Sequence, residues 1–214
     1  MLAVVAAAFP GHAVLGEEGG VSGDVKSDFL WCIDPLDGTT NFTHSYPVRC
    51  VHRLRVARLL TRLAQSFAVS VAVTRRGVPV AAAVVEFTGG PRAWVTRRYA
   101  AAAGRGASCN GSPLKLPPGA NDQLRRALLV TGFGYDHGAD WEANMLLFKE
   151  FTDKCQARQL TKLCATAHLT TLLAQGVRRL GAASVDLCHV ALGVLDAYWV
   201  RTRLDASHSL LALC

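Results

Sequence analysis

Apolar and polar residues follow two different patterns along the chain, and the first of them is typical of β-strands. Residues 12–20 and 27–34 each hold a short apolar run that ends in carboxylates, which predicts two strands with acidic ends. Small and apolar residues alternate over 66–87, which predicts a pair of antiparallel strands around a Gly-Val-Pro break. Residues 92–116 predict a further pair, with Asn110-Gly111 as the turn between its strands.

The second pattern has helical spacing and begins near residue 135. The apolar side chains that recur every three or four residues are Trp141, Met145, Phe148 and Phe151. They predict a helix over 138–154, preceded by a short helix and a buried strand at 127–131.

Residues 178–200 predict the end of a strand, a glycine turn and a helix from Ala182 to about Gly193. The change of pattern predicts two domains: a strand-rich domain over 1–135 and a helix-rich α/β domain over 136–214.

The composition is that of a globular protein. Half of the 214 residues are hydrophobic and 18% are charged, which does not fit a disordered chain. No apolar run is long enough to cross a bilayer. Residues 1–9 are apolar but lack a basic region, so we expect a buried helix or strand there rather than a secretory signal. The seven cysteines include no CxxC pair, which argues against a zinc ribbon or a disulfide framework and indicates a reducing compartment.

The formal net charge of +7 comes from three segments. Residues 48–65 carry five arginines, 154–175 carry three basic residues, and 200–214 carry two arginines and one aspartate. The rest of the chain holds slightly more acids than bases, so the charge does not indicate a nucleic-acid partner. A basic helix that touches nucleic acid or a membrane is an alternative for 48–65.

The stretch LWCIDPLDGTTNF, residues 30–42, places two aspartates where an apolar run stops. Asp34 stands at a predicted strand end, where a fold can hold a side chain rigidly. Pro35 restricts φ, and Gly38 permits a tight or left-handed turn, so Asp37 can turn back toward Asp34. Carboxylate oxygens arranged in this way select hard cations such as Mg²⁺.

The surrounding residues extend this chemistry. Glu17 and Glu18 end the preceding predicted strand, and they meet the aspartates if the two strands lie side by side. Thr39 and Thr40 follow where backbone N–H groups would suit an anion. The chain has no GxxxxGK[ST] loop and no arrangement of Ser, Cys or His that offers a nucleophile, so hydrolysis by metal-activated water is the simplest interpretation. The alternative is a surface turn in which Asp37 caps a helix.

These motifs resemble the inositol monophosphatase family of Mg²⁺-dependent, lithium-sensitive phosphatases. The resemblance rests on GEE at 16–18, on WCIDPLDGTTNFTHSYP at 31–47 and on RRLGAASVDLCHVALGVLDAYW at 178–199. Residues 84–97 and 131–153 are most similar to the plastid branch of plant and cyanobacterial-type members. The resemblance implies an α+β or α/β fold, a layered αβαβα sandwich that is present here in part.

The resemblance implies a metal role for four residues. Glu17 would bind metal and help to orient the attacking water. Asp34 would bridge two Mg²⁺ ions, the Leu36 carbonyl would bind the first ion, and Asp37 would bind the second. Glu18 would lie just outside these ligands.

It also implies how the substrate is held. Thr39 would hydrogen-bond the nucleophilic water, and the N–H groups of Gly38 and Thr39 would hold phosphate, with Asp37 also on the substrate side. The residues that would line the substrate through backbone contacts are Gly181, Ala182 and Ala183.

The implied reaction is hydrolysis of a small phosphate monoester, with inositol monophosphate as the first candidate and histidinol phosphate as the alternative. The implied partners are a small phosphorylated substrate and a second copy in a homodimer, with neither nucleic acid nor a membrane. The plastid branch implies the chloroplast stroma, although the chain shows no transit peptide, and the cytoplasm is the alternative.

The chain departs from the family pattern at both ends and at two inserts. Few residues precede GEE, and 48–65 and 154–175 have no counterpart. Beyond Trp199, the family has an acid and then a Trp-Asp that supplies the last metal ligand; Val200 replaces that acid, and Asp205 is not assigned the ligand role. We interpret the inserts as translated intron and the tail as a shifted frame or alternative exon. A catalytically impaired product therefore remains an alternative.

Overall fold

The computed structural model describes residues 1–17, 19–44, 65–89, 94–115, 124, 127–134, 137–156 and 176–200. These residues belong to two compact units. The first runs from Met1 to Leu114 and includes Gly181–Cys188, and the second runs from Lys115 to Leu180 and includes the described residues from His189 onward. The domain boundary near residue 135 stays a prediction.

The predicted strands and helices occur in the predicted order, together with short elements that the sequence analysis did not predict. In chain order they are α1 (Leu2–Ala8), β1 (Ala13–Gly16), β2 (Gly20–Gly23), β3 (Phe29–Asp37), α2 (Thr39–Thr43), β4 (Gln65–Arg75), β5 (Val78–Gly89), β6 (Val95–Ala102), β7 (Gly106–Cys109), β8 (Ser112–Pro113), β9 (Leu128–Thr131), α3 (Ala139–Gln156), β10 (Gly176–Arg178), α4 (Ala183–Ala191) and β11 (Ala197–Trp199).

The first unit is built on an eight-stranded sheet of order β2-β1-β3-β4-β5-β6-β7-β8. Strands β1 and β3 are parallel, and the other neighbouring strands are antiparallel. The pairing places Gly16 opposite Ile33, so the two acid-ended strands lie side by side, which is the condition under which their acids were expected to meet.

The predicted strand pair over 66–87 is confirmed as β4 and β5. Its turn is Arg76-Gly77, with φ values of 51° and 77°, as a two-residue hairpin turn requires. The prediction for 92–116 is wrong in one respect, because Asn110-Gly111 joins β7 to β8 rather than the two longer strands. A separate turn at 103–105 joins β6 to β7, so residues 94–115, the described part of this region, hold three strands.

The apolar start forms a helix, but the prediction that it is buried is wrong for most of it. Val5 is buried against Val14 and Ile33, whereas Leu2 is 55% exposed and Val4 is 70% exposed. Val5 is therefore the buried side chain through which α1 packs against β1 and β3.

A buried acid joins the central strands β5 and β6. Glu86 is 1% exposed, accepts a 2.9 Å hydrogen bond from the Tyr99 hydroxyl and lies 3.7 Å from the Arg97 guanidinium. Burial, followed by the charge of Glu86, raises the pKa of Tyr99. Because a buried carboxylate is costly unless it is paired, these contacts favour one register of β5 on β6.

The second unit packs a helix on a three-stranded parallel sheet of order β10-β9-β11. Its core contains Ala127, Leu129 and Cys155, with Phe151 of α3 edge-on to Trp199 at 4.8 Å between ring centroids. The predicted helix over 138–154 and the predicted strand at 127–131 are confirmed as α3 and β9.

Most of the three basic segments lies outside the described residues, and so do most of the predicted short helix before β9 and all of Glu18. Residues 154–156 continue α3. Within the described ranges, no helix is long and apolar enough to cross a membrane.

Candidate active site

The parallel pairing of β1 and β3 brings Glu17 to the strand that carries the aspartates. The Glu17 N–H donates a 3.3 Å hydrogen bond to the Ile33 carbonyl, one residue before Asp34. The Glu17 side chain is exposed, whereas Asp34 is buried. The backbone therefore places an exposed acid beside a buried one.

The strand does not end at Asp34, as the apolar pattern predicted, but continues to Asp37. Asp34 lies opposite Ser70 and Asp37 lies opposite Ala68, so three steps along β3 match two steps along β4. In a regular strand, residues three apart face opposite sides of the sheet. The extra residue forms a bulge that places both aspartates on the same face, and Pro35 is exposed there, where its missing N–H removes no ladder bond.

Two local hydrogen bonds hold the bulge. The Leu36 N–H donates to Oδ1 of Asp34 at 2.8 Å, and the Thr39 hydroxyl donates to the Leu36 carbonyl at 2.9 Å. Asp34 therefore has one oxygen fixed by its own loop, and the Leu36 carbonyl keeps a second lone pair.

Gly38 has the left-handed conformation that the sequence predicts, with φ of 87°. A Cβ at this position would lie 3.2 Å from the Ala182 Cβ and 3.3 Å from both the Gly181 and Ser66 carbonyl oxygens. The absence of a side chain thus lets the end of β3 approach the turn before α4.

We expect Gly38→Ala to destabilise the chain more than Gly104→Ala. Both positions have positive φ, but a Cβ at Gly104 would meet nothing within 4 Å. The left-handed conformation costs each variant about 1–2 kcal/mol, and crowding adds roughly 1–3 kcal/mol at Gly38 alone. Urea unfolding of the two variants measures this difference, and equal losses of stability would contradict the close approach.

The glycine turn before α4 contacts the helix that follows the aspartates. Gly181 has φ of 84°, and a Cβ there would lie 3.2 Å from Oδ1 of Asn41. Asn41 is buried, and its Nδ2 donates a 3.0 Å hydrogen bond to the Ser66 carbonyl. Asn41 therefore ties α2 to β4 beside the turn that holds Gly181, Ala182 and Ala183.

Asp37 reaches across the first unit to the start of α4. Its Oδ1 accepts a 3.1 Å hydrogen bond from the Ala183 N–H. Its Oδ2 accepts a 2.7 Å hydrogen bond from the Ser184 N–H and a further, short one from the Ser184 hydroxyl. Asp37 therefore caps a helix, as the alternative interpretation predicted, but this helix is α4 and not α2, whose N-cap is Gly38.

A third carboxylate lies in α4. Asp186 is 1% exposed, and among the described residues its Oδ1 has no hydrogen-bond partner. Burial, followed by the charge of Asp37, raises the pKa of Asp186 to about 8. Burial also raises the pKa of Asp37, and the charge of Asp34 adds to that rise against the hydrogen bonds from Ser184 and Ala183.

The oxygen atoms of these residues are of the type that binds a divalent cation, although the described residues do not form a complete ligand set. Carboxylate and carbonyl oxygens are the ligands of hard cations, and a cation would relieve the repulsion of Asp37 by Asp34 and of Asp186 by Asp37. In the part of the chain that the structure describes, no group of three or more His, Cys, Asp or Glu side chains is arranged to hold a metal ion. The metal roles of Glu17, Asp34, Leu36 and Asp37 stay predictions.

Ser184 and Asp186 were not predicted as site residues. The only signal for Asp186 is an acid within the apolar run of α4, and Ser184 carries no signal, because its partner is 147 residues away.

The sequence around this site matches a known protein family. The chain matches the inositol monophosphatase family over residues 1–206. It belongs to this family. The resemblance on which the site residues were assigned is thus confirmed at the level of the family.

Two relatives show which branch of the inositol monophosphatase family the chain is similar to. It is 51% identical over 199 residues to the chloroplastic phosphatase IMPL1 of Arabidopsis thaliana, and the match covers 93% of this chain and 43% of that protein. It is 36% identical over 201 residues to an inositol-1-monophosphatase of Synechocystis, and the match covers 94% of this chain and 54% of that protein. The chain thus spans about half the length of these relatives.

A solved structure supports the fold. The inositol monophosphatase of Anabaena (Nostoc) sp. PCC 7120 matches with a TM-score of 0.65 and 33% identity, over 99% of this chain and 67% of that one. The predicted layered α/β fold is confirmed by this match.

Proposed function

We propose that this inositol monophosphatase family member hydrolyses a small phosphate monoester in a Mg²⁺-dependent reaction, with inositol monophosphate as its substrate. The observation that carries the proposal is the bulge in β3, which places Asp34 and Asp37 on one face of the sheet beside the start of α4. The name of the Synechocystis relative supports the substrate.

The residues that would hold Mg²⁺ are Glu17, Asp34, the Leu36 carbonyl and Asp37. A bound divalent cation lowers the pKa of water and neutralises charge on a phosphate and its leaving oxygen. Asp34 has Oδ1 engaged by the Leu36 N–H, so its carboxylate is oriented before a ligand arrives. Such preorganisation reduces the cost of binding.

Thr39 is suited to orienting the attacking water. Its hydroxyl already donates to the Leu36 carbonyl, so its oxygen is left as an acceptor for a hydrogen bond from water. The N–H groups of Gly38 and Thr39 would hold the phosphate, and the backbone of Gly181–Ala183 would line the alcohol.

A family member with impaired metal binding is the second candidate, because among the described residues no group of three or more His, Cys, Asp or Glu side chains is arranged to hold a metal ion. Asp205, which belongs to the divergent tail 200–214, lies outside the described residues. The requirement for Mg²⁺ separates the two candidates.

The test is phosphate release by the purified full chain from inositol monophosphate and, separately, from histidinol phosphate, over a range of Mg²⁺ concentrations. We expect release from inositol monophosphate that depends on Mg²⁺ and falls with Li⁺. Release from histidinol phosphate alone would identify histidinol phosphate, rather than inositol monophosphate, as the substrate. No release from either ester at any Mg²⁺ concentration would favour the impaired product.

We also propose a plastid location and a homodimer. The relative from Arabidopsis is named as chloroplastic, which supports the chloroplast stroma. Fractionation of plastids with an antibody to this chain tests the location, and sedimentation of the purified chain tests the dimer.

A further inference from the structure

The Asp37 carboxylate has an unequal set of hydrogen-bond partners. Oδ2 accepts two hydrogen bonds, one from the Ser184 N–H and one from the Ser184 hydroxyl, whereas Oδ1 accepts one from the Ala183 N–H. A carboxylate oxygen has two lone pairs. Oδ2 is therefore filled, and Oδ1 keeps one lone pair for a further ligand.

We propose that Ser184 is a positioning residue that directs Asp37 to bind a divalent cation through Oδ1 alone. This proposal rests on the proposed function, since it concerns the same cation. The Ser184 hydroxyl acts through Asp37 and touches neither substrate nor water in this role.

The hydroxyl is the one part of this arrangement that depends on the type of residue. The N–H groups of Ala183 and Ser184 belong to the backbone at the start of α4, and any non-proline side chain would leave them in place. Ser184 is 1% exposed, so a water molecule from bulk solvent does not readily replace its hydroxyl. Without it, Oδ2 would keep one bond, and the carboxylate could rotate or bind a cation through both oxygens.

Hydrogen-bond partners of a ligating carboxylate affect metal affinity strongly, by about 10- to 100-fold on removal. We therefore expect Ser184→Ala to raise the Mg²⁺ concentration needed for half-saturation by about that factor. Ser184→Thr keeps the hydroxyl and should restore binding close to that of the parent chain.

The experiment follows the melting temperature of the full chain as MgCl₂ is added without substrate, since a ligand that binds the folded chain raises its stability. Ser108→Ala is the matched control, because it removes a serine hydroxyl that donates to the Ala100 carbonyl in β6. The same four proteins are then assayed for half-maximal Mg²⁺ in phosphate release. Ser184→Ala should shift both midpoints, and Ser108→Ala should shift neither.

The outcomes separate this proposal from the proposed function. A Mg²⁺ response in the parent that is unchanged in Ser184→Ala overturns the positioning role alone. A parent whose melting temperature does not respond to Mg²⁺ overturns both. If Ser184→Thr does not fold because of its extra methyl group, the comparison of Ser184→Ala with Ser108→Ala still tests the positioning role of Ser184.

Discussion

Asp34→Asn is expected to abolish phosphate release while leaving the chain folded. Asparagine has nearly the same shape, and its carbonyl oxygen can still accept the hydrogen bond from the Leu36 N–H. It lacks the negative charge, however, and it replaces one ligand oxygen by a donor. Since a hard cation requires anionic oxygen, affinity for Mg²⁺ should fall. Loss of one such electrostatic contact costs about 10²–10³ in rate, and the resemblance assigns Asp34 to two ions at once.

The measurement is kcat/KM for inositol monophosphate at saturating Mg²⁺. Asp24→Asn is the matched control, because Oδ1 of Asp24 accepts a 3.0 Å hydrogen bond from the Lys26 N–H in the same local geometry, away from the site. Glu17→Gln should also be severe. If Asp34→Asn kept a kcat/KM near that of the parent, the assignment of the metal site would be wrong.

Asp186→Asn is expected to stabilise the chain at pH 8 in the absence of divalent cations. The pKa of Asp186 is raised to about 8 in the folded chain, whereas an unfolded aspartate titrates near pH 4. Between these values the folded chain keeps a proton that the unfolded chain has released. The free energy of unfolding therefore falls as the pH rises through this window, by about 1.4 kcal/mol per pH unit, and the contribution is fully lost above pH 8.

Asparagine removes this group without removing its volume. The variant should be more stable than the parent at pH 8 by on the order of a few kcal/mol and closer to it at pH 5. Some pH dependence remains, because the pKa of Asp37 is also raised. Urea unfolding with EDTA at pH 5, 6.5 and 8 measures the effect, with Asp153→Asn on the exposed face of α3 as the control. Equal pH slopes in Asp186→Asn and the parent would contradict the assigned burial.

The sequence pattern was sufficient for features that depend on local chemistry. Acid-ended apolar runs predicted β1 and β3, and helical spacing predicted α3. The pattern placed Asn110-Gly111 in a turn but assigned it to the wrong strands, because pairing partners are not encoded in the turn itself. The sequence pattern also predicted an end of β3 at Asp34, which is too early. The bulge between Asp34 and Asp37 arises from the pairing of β3 with β4, and the pattern of a single strand does not contain this pairing.

The candidate site was predicted in part for the same reason. The neighbouring residues Asp34, Asp37 and Gly38 form a motif that can be read along the chain. The contacts of Asp37 with Ala183 and Ser184 span 146 and 147 residues and arise only from tertiary packing. A buried acid such as Asp186 gains its raised pKa from its surroundings, which a linear pattern does not contain.

The capping of α4 by Asp37 has a consequence for the order in which the chain matures. During synthesis, Asp37 leaves the ribosome long before Ser184 does, and the two must close a loop of 147 residues before the capping bonds form. Contacts of such long sequence separation form late in folding, because the entropy of closing the loop is lost before the contact can compensate. A nascent or truncated chain that ends before residue 183 has the complete aspartate motif but none of the donors that orient Asp37. The hydrogen bonds that orient Asp37 can therefore form only after residues 183 and 184 have been made.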